Sequence, residues 1–349
     1  MPTAPAEPRL LTTLPPGLLD CNAADLAAAL DGPTLIELPG ARTPALFVSV
    51  LMHGNEPVGW DAVRLWLRRH LERHGELRLP RAMCLFIGNV RAAAANARHL
   101  PDQPDYNRVW PGSELPLTPE HGMMQWVCER MAGRGLFASI DLHNNTGANP
   151  HYACVNVIDN RALHLATLFS RIVVYFICPR GVQSQAMAQL CPAVTLECGK
   201  VGEARGLEHS LQYLDACLHL AELPDHGLPP QDIDLFHTVA QVRVPPGLSF
   251  GFPPQDGALV LSPDLERQNF RELPPGTAFG RVRDAQVRLE VRDEQGRDVG
   301  ERYFAVEDGE LRLQVPVMPA MLSHDETVIR QDCLCYLMER YNHQVPPRR

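Results

Sequence analysis

Two side chains that often bind metals, His53 and Glu56, stand three residues apart in the segment His53-Gly-Asn-Glu56. The segment directly follows an apolar run that ends at Leu51 and reads as a buried strand. Open α/β sheets place their ligands at the carboxyl ends of strands. Zinc accepts imidazole and carboxylate ligands and, in catalytic sites, commonly has three of them. If Gly54 permits a tight turn, both side chains can reach one ion, although an ordinary loop would show the same spacing.

A third candidate ligand, His143, closes another apolar run in the segment Asp141-Leu-His143-Asn144. Residues two apart in a strand share a face. Asp141 is therefore expected to orient the His143 ring, as carboxylates commonly do for metal-binding histidines. A plain turn after a buried strand is the alternative interpretation.

Glu197 lies in the segment Thr195-Leu-Glu197-Cys-Gly199, at the end of a third apolar run. A carboxylate at this edge of the sheet can act as the general base for a water molecule activated by a metal. The alternative is a solvated residue at a strand end.

Arginine and asparagine side chains follow the predicted strand that ends at Ile87. They comprise Arg91 and Arg98, and then Asn107 with Arg108. The arginine fork binds carboxylates through two hydrogen bonds, and asparagine adds neutral ones. This stretch is a candidate anion-binding mouth, with ordinary surface charges as the alternative.

The elements that must position these residues alternate between strands and helices. Such alternation predicts a mixed α/β domain over residues 1–224, with a largely parallel sheet flanked by helices on both faces. The predicted strands are Ala45–Leu51, Met83–Ile87, Phe137–Leu142, Tyr152–Ile158, Ile172–Ile177 and Ala193–Leu196. The predicted helices are Val58–Leu71, Pro119–Met131, Arg161–Phe169 and Glu203–Leu220.

The pattern changes after the proline-rich segment Leu223–Pro230, which is typical of a linker. Runs of strand character separated by glycine and proline turns then dominate, and they predict a smaller β-rich domain over residues 230–349. The predicted strands there are Thr238–Val244, Arg281–Val291, Arg302–Ala305 and Leu311–Val315.

Composition restricts the classes of partner. The 349 residues carry a formal net charge of −9, which argues against nucleic acid as a partner. There is no apolar run of the roughly 20 residues that a membrane span needs, and no signal peptide is recognisable. The expected location is therefore the cytoplasm. The ten cysteines include no Cys-x-x-Cys pair and are interpreted as small apolar residues.

Taken in order, these motifs resemble the succinylglutamate desuccinylase/aspartoacylase family, which is related to the zinc carboxypeptidases. The resemblance covers residues 53–199, and the β-rich tail also fits, because family members carry a C-terminal β domain. It implies a zinc-dependent amidohydrolase that removes the acyl group from a small N-acylated amino acid.

The resemblance also implies a role for each matching residue. His53, Glu56 and His143 match the ligands of one zinc ion per chain, and Glu197 matches the general base. Arg98 matches an arginine that stabilises the oxyanion. Asn107 and Arg108 match the pair that holds a substrate carboxylate, and Asn144 is expected to line the same pocket.

The sequence departs from the family pattern where the second substrate group would bind. Aspartoacylase-like members have an arginine about ten residues before the base, whereas this chain offers Gln183, Ser184, Gln185 and Gln189, with Arg180 as the nearest arginine. The acyl group, the amino acid and the oligomeric state stay open, a homo-oligomer included. Two other functions also stay open: a metallocarboxypeptidase acting on peptides, and a non-catalytic protein that binds a small ligand.

Overall fold

The computed structural model describes residues 7–341. The chain divides into two compact units. The first contains the residues up to Asn144 together with His151–Asp234. The second contains Asn145–Pro150 together with the residues from Leu235 onward. The domains predicted from the sequence, 1–224 and 230–349, stay a prediction, because compactness alone does not show that either part folds by itself. Residues 1–6 of the first predicted domain and residues 342–349 of the second lie outside the described range.

The first unit is built on a mixed, mostly parallel sheet. Its strands follow the order β1-β2-β4-β3-β5-β8-β6-β7. The central strands β3, β4 and β5 run parallel, whereas β2 is antiparallel to β4 and β6 is antiparallel to β8. The strands are β1 (Arg9–Leu11), β2 (Thr34–Leu38), β3 (Gly40–Val50), β4 (Leu79–Ile87), β5 (Leu136–Asn145), β6 (Tyr152–Val155), β7 (Ile172–Tyr175) and β8 (Ala193–Lys200).

Helices cover both faces of this sheet. Phe47 and Phe86 belong to a buried cluster that also contains Met124 of α4 (Pro119–Arg134), whereas Val50 faces Gly59 at the start of α2 (Val58–His74) on the other side. The alternation of side chains along β3 therefore separates the two helical layers. The helices are α1 (Leu26–Leu30), α2 (Val58–His74), α3 (Val90–Ala94), α4 (Pro119–Arg134), α5 (Asn160–Thr167), α6 (Gln183–Met187) and α7 (Ala204–His219). The predicted fold class is confirmed.

The second unit is rich in antiparallel strands. One group has the order β13-β9-β17-β16, and the other forms a five-stranded sheet, β10-β11-β12-β15-β14. The strands are β9 (Asp234–Arg243), β10 (Phe250–Gly251), β11 (Leu259–Leu261), β12 (Ala278–Val282), β13 (Glu290–Asp293), β14 (Phe304–Glu307), β15 (Glu310–Leu313), β16 (Met318–Ala320) and β17 (Cys335–Arg340). Its described part also contains two short helices, α8 (Gly300–Tyr303) and α9 (Glu326–Gln331).

Two strand predictions in this unit were wrong. The run Arg281–Val291 is two strands, because β12 ends at Val282 and β13 begins only at Glu290. Asp284 breaks the run: its side chain accepts the Gln286 backbone N–H at 2.8 Å and stabilises a turn. The run Arg302–Ala305 begins inside α8 and becomes a strand at Phe304.

Within residues 7–341, no helix combines the length and the apolar character needed to cross a membrane.

Candidate metal centre

Three predicted ligands meet at the carboxyl-end edge of the first unit's sheet. His53 and Glu56 lie in the loop after β3, and His143 lies near the end of the neighbouring strand β5. All three side chains are buried, and one ligand atom from each lies within 4.8 Å of the others. Among the described residues, no other group of histidine, cysteine and acidic side chains has this geometry. The cluster could hold a metal ion.

The two imidazole rings present the same nitrogen to Glu56. His53 Nδ1 lies 2.9 Å from Glu56 Oε1, and His143 Nδ1 lies 2.7 Å from Glu56 Oε2. Each ring therefore turns Nδ1 inward and leaves Nε2 for a second partner. Two nitrogens and one carboxylate form a donor set that fits zinc.

That second partner is a carboxylate in both cases. His53 Nε2 lies 3.2 Å from Asp105 Oδ1, and His143 Nε2 lies 2.8 Å from Asp141 Oδ2. A carboxylate on Nε2 favours the tautomer that leaves Nδ1 as an electron-pair donor, and it fixes the ring. The sequence predicts the contact of Asp141 because the two residues share a strand face. It does not predict the contact of Asp105, which lies 52 positions from His53.

Both outer carboxylates are themselves held in place. Ser49 of β3 donates a hydrogen bond to Asp141 Oδ1 at 2.7 Å. Arg98 forms an ion pair with Asp105, with Nη2 at 2.8 Å from Oδ2. The rings are therefore fixed through a second layer of contacts.

In the segment that leads to the ligand loop, Leu51 and not Gly54 adopts the left-handed backbone conformation. Leu51 has a φ of 58°, in the left-handed region that costs a branched side chain on the order of 1 kcal/mol or more. Gly54 does not have a positive φ, so the turn predicted there is not what requires glycine. Glycine is needed for close approach, because a Cβ would lie 2.2 Å from the Ala93 nitrogen in α3.

Electrostatics at the centre favour charged ligand side chains. Burial alone would raise the pKa of Glu56, but His53 and His143 lower it well below its usual range. Burial would likewise lower the pKa of His143, yet Asp141 and Glu56 hold it well above its ordinary value. These shifts favour an ionised carboxylate, and a bound cation would compete with protons for the electron pairs of the histidines.

Glu197 lies in β8, opposite Tyr152 of β6. Burial raises its pKa to about 7, while the positive charge of His143 acts in the opposite direction. Its Oε2 atom is buried and has no hydrogen-bond partner among residues 7–341. A carboxyl group with this pKa exchanges a proton readily near neutral pH.

The arginines of the predicted anion mouth differ in their surroundings. Arg98 is buried against Asp105, whereas Arg91 is exposed and pairs with Asp102. Arg108 is half-buried and donates a hydrogen bond to the Asn107 carbonyl at 2.9 Å.

The amide side chains of Asn107 and Asn144 contact protein groups. Asn107 Oδ1 accepts the Gln183 backbone N–H at 2.8 Å, and its Nδ2 donates to Asp141 Oδ2 at 3.3 Å. Asn144 Oδ1 accepts the Val58 N–H at 3.1 Å, and its Nδ2 donates to the Gly199 carbonyl at 3.0 Å. Asn144 therefore caps the first turn of α2, which directly follows the ligand loop.

The polar run before Glu197 divides into two environments. Gln183 and Ser184 are fully buried, and they donate to Ser139 at 2.8 Å and to Asn156 at 2.7 Å, respectively. Gln185, Gln189 and Arg180 line a separate pocket beside α4, which contains none of the three predicted ligands. Arg180 is exposed there and pairs with Glu114.

Known proteins share both the sequence pattern and the fold. Residues 42–217 match the model of the succinylglutamate desuccinylase/aspartoacylase catalytic domain, and every predicted site residue lies inside this range. No curated protein matches the chain in a sequence search.

Solved structures of similar fold have low sequence identity to the chain. Succinylglutamate desuccinylase from Vibrio cholerae has a TM-score of 0.58 at 16% identity, covering 88% of this chain and 87% of that one. Murine aminoacylase 3 has a TM-score of 0.55 at 18% identity, covering 86% and 97%. The product-bound ectoine utilization protein EutE from Ruegeria pomeroyi has a TM-score of 0.54 at 17% identity, covering 87% and 88%.

Proposed function

The chain belongs to the succinylglutamate desuccinylase/aspartoacylase family, and on that premise we propose that it is a zinc-dependent deacylase of small N-acylated amino acids. The observation that carries the proposal is the buried convergence of His53, Glu56 and His143, with Glu197 nearby in electrostatic contact. One zinc ion per chain, bound by these three side chains, would supply Lewis-acid activation of a carbonyl oxygen and of water.

Glu197 acts as the general base. Its ionised form accepts a proton from the attacking water, and the resulting acid then delivers that proton to the leaving amine. The raised pKa suits both steps, because the group gains and loses a proton near neutral pH.

Arg98 stabilises the negative charge that develops on the acyl oxygen. Its guanidinium is buried and held by Asp105, so it is oriented before substrate binds. A preorganised charge in a site that excludes water contributes more to the transition state than a mobile one.

Substrate carboxylate recognition is assigned to Arg108, with Asn107 and Asn144 as predicted neighbours. The hydrogen bonds of the two amides to protein groups favour a supporting role, in which Asn107 holds Asp141 and Asn144 holds α2. Direct contact of these amides with substrate stays a prediction.

The test combines metal analysis with a screen of N-acyl amino acids on zinc-loaded protein. The Glu197→Gln variant should keep one zinc per chain and lose turnover by about 10²–10⁴-fold, the range typical for a general base. Near-full activity in this variant would contradict the assigned base. The His53→Ala variant serves as the metal control and should lose the ion, so normal zinc content there would contradict the ligand assignment.

The same screen separates the two other functions that the sequence leaves open. Release of C-terminal residues from peptides, with no cleavage of N-acyl amino acids, would show a metallocarboxypeptidase. Zinc binding with no turnover of either class would show a non-catalytic member.

A further inference from the structure

A groove of about 480 Å³ lies between the C-terminal half of α2 and the outer face of α7, within the first unit. From α2 it is lined by the Trp66, Arg69, His70 and Arg73 side chains, and Arg78 from the following loop closes one side. The volume falls in the range of small-ligand pockets. None of the residues assigned to the metal centre lines it.

The groove carries a small excess of positive charge, because Arg69, Arg73 and Arg78 line it together with two acidic residues, Glu208 and Asp215. Arg69, Arg73 and Arg78 are exposed, and within residues 7–341 their side chains make no ion pair or hydrogen bond. The two acidic side chains of the lining form no ion pair with these arginines, and Asp215 Oδ1 lies 3.5 Å from His219 Nδ1. Asp215 accepts the Trp66 Nε1–H at 2.9 Å, and Glu208 accepts from Gln212 at 3.1 Å.

Three histidine side chains, His70, His74 and His219, also line the groove. Trp66, His70 and His74 stack along one face of α2, with ring centroids 5.0 and 4.5 Å apart. Burial lowers the pKa of His70, and His74, His219 and Arg73 lower it further. The arginines, rather than His70, therefore supply the positive charge of the groove near neutral pH.

The helix dipole of α2 explains the position of only some of these basic side chains. Arg73 and His74 occupy the last turn of α2, where positive charge interacts favourably with the helix dipole. Arg69 lies before that turn, and Arg78 lies beyond the helix end at His74. A helix dipole therefore does not explain why these two guanidinium groups gather around the same concave surface of a protein whose net charge is −9.

We propose that this groove binds a small multivalent oxyanion, a compound with two or more adjacent phosphate or carboxylate groups. Planar guanidinium groups bind such oxygens through paired hydrogen bonds. Three of them around one groove match an anion with several oxygens better than a monovalent ion.

The experiment is isothermal titration of the zinc-loaded protein with pyrophosphate, with zinc content measured after each run. The wild type should bind one equivalent with a Kd below about 1 mM. The triple variant Arg69→Gln/Arg73→Gln/Arg78→Gln should bind at least about tenfold more weakly, since loss of one charge-assisted hydrogen bond already approaches that factor. The single variant Arg78→Gln, in the loop, should give a smaller loss in the same direction.

The matched control is Arg205→Gln/Arg271→Gln/Arg281→Gln, which removes the same charge at exposed sites outside the groove. It should keep wild-type affinity within about twofold, a change worth only about 0.4 kcal/mol. An equal loss of affinity in both triple variants would show that net charge alone causes the loss, and it would overturn the proposal. Absence of binding to the wild type, or unchanged binding in the groove variants, would overturn it as well.

A second titration with tricarballylate distinguishes the two anion sources. Tighter binding of pyrophosphate would identify a phosphate ligand, and tighter binding of tricarballylate a polycarboxylate. Both results support the groove as the binding site, provided that the groove variants weaken the binding. Because the readout is binding rather than turnover, it is independent of the proposed deacylase activity.

Discussion

At the scale of single residues, the centre is defined by paired contacts on each histidine ring. Nδ1 of His53 and of His143 faces Glu56, and Nε2 of each faces an aspartate. A metal ion would replace the protons shared along the inner contacts, while the outer contacts keep the rings in place. The outer aspartates are therefore expected to control metal affinity.

Substitution of Asp105 tests this expectation. The Asp105→Asn variant keeps the size of the side chain but loses its negative charge, so zinc affinity should fall about 10- to 100-fold. Competition with a chelating dye measures it. The control is Asp102→Asn, which removes an exposed carboxylate that pairs with Arg91. If both variants bind zinc as tightly as the wild type, the assigned role of Asp105 is wrong.

The pKa of Glu197 predicts a pH profile. The base must be ionised, so kcat/KM should fall as the pH drops through the pKa of this group. Burial raises that pKa to about 7, and a bound cation would lower it. The acid limb of the zinc enzyme should therefore lie at or below about pH 7. The measurement runs from pH 5 to 9 with bound zinc determined at each point, and constant kcat/KM at full zinc occupancy would contradict the prediction.

At the scale of elements, the ligand loop depends on contact between backbones. Gly54 lies against α3, its N–H bonds to the Arg98 carbonyl at 3.1 Å, and a Cβ would collide with backbone atoms of Ala92 and Ala93. Backbone atoms in a packed element cannot move aside as a flexible side chain does. The distance between β3 and α3 therefore sets the position of His53 and Glu56.

The Gly54→Ala variant should show this dependence. We expect a loss of about 1–3 kcal/mol in the free energy of unfolding, together with weaker zinc binding, because the loop must move. Gly133→Ala is the matched control, since Gly133 lies in α4 and a Cβ added there would meet nothing within 4 Å. Alanine there should stabilise the helix by about 0.5–1 kcal/mol. Equal unfolding free energies for the two variants would contradict the close-approach argument.

At the scale of the whole molecule, the metal should contribute to stability. Its ligands come from β5 and from the loop between β3 and α2, so an ion bound by all three favours the folded chain over the unfolded one. Binding stabilises by about 4 kcal/mol when the free ligand exceeds its Kd by 1,000-fold. Removal of the metal should therefore lower the melting temperature by several degrees.

Calorimetry with and without a chelator measures that shift. Zinc should restore the original melting temperature of the wild type, and the His143→Ala variant should respond little to either treatment. A chelator-induced shift as large in His143→Ala as in the wild type would indicate that the stabilising metal is bound elsewhere.

The sequence by itself determined the fold class and predicted the chemistry of the site. His53, Glu56, His143 and Glu197 each follow or end an apolar strand, and strands that alternate with helices bring such positions to one edge of a sheet. Both signals are local, because they depend on periodicity and on spacings of a few residues. The main strands and helices of the first unit could be predicted in this way.

Only the tertiary structure decided which side chains distant in sequence support the site. Residues distant in sequence meet at three places. Asp105 contacts His53, the Gln183 backbone N–H donates to the Asn107 side chain, and Gly54 lies against α3. The groove likewise combines α2, α7 and the loop at Arg78. Such contacts depend on how the elements pack, and local spacing does not specify which distant side chains then meet.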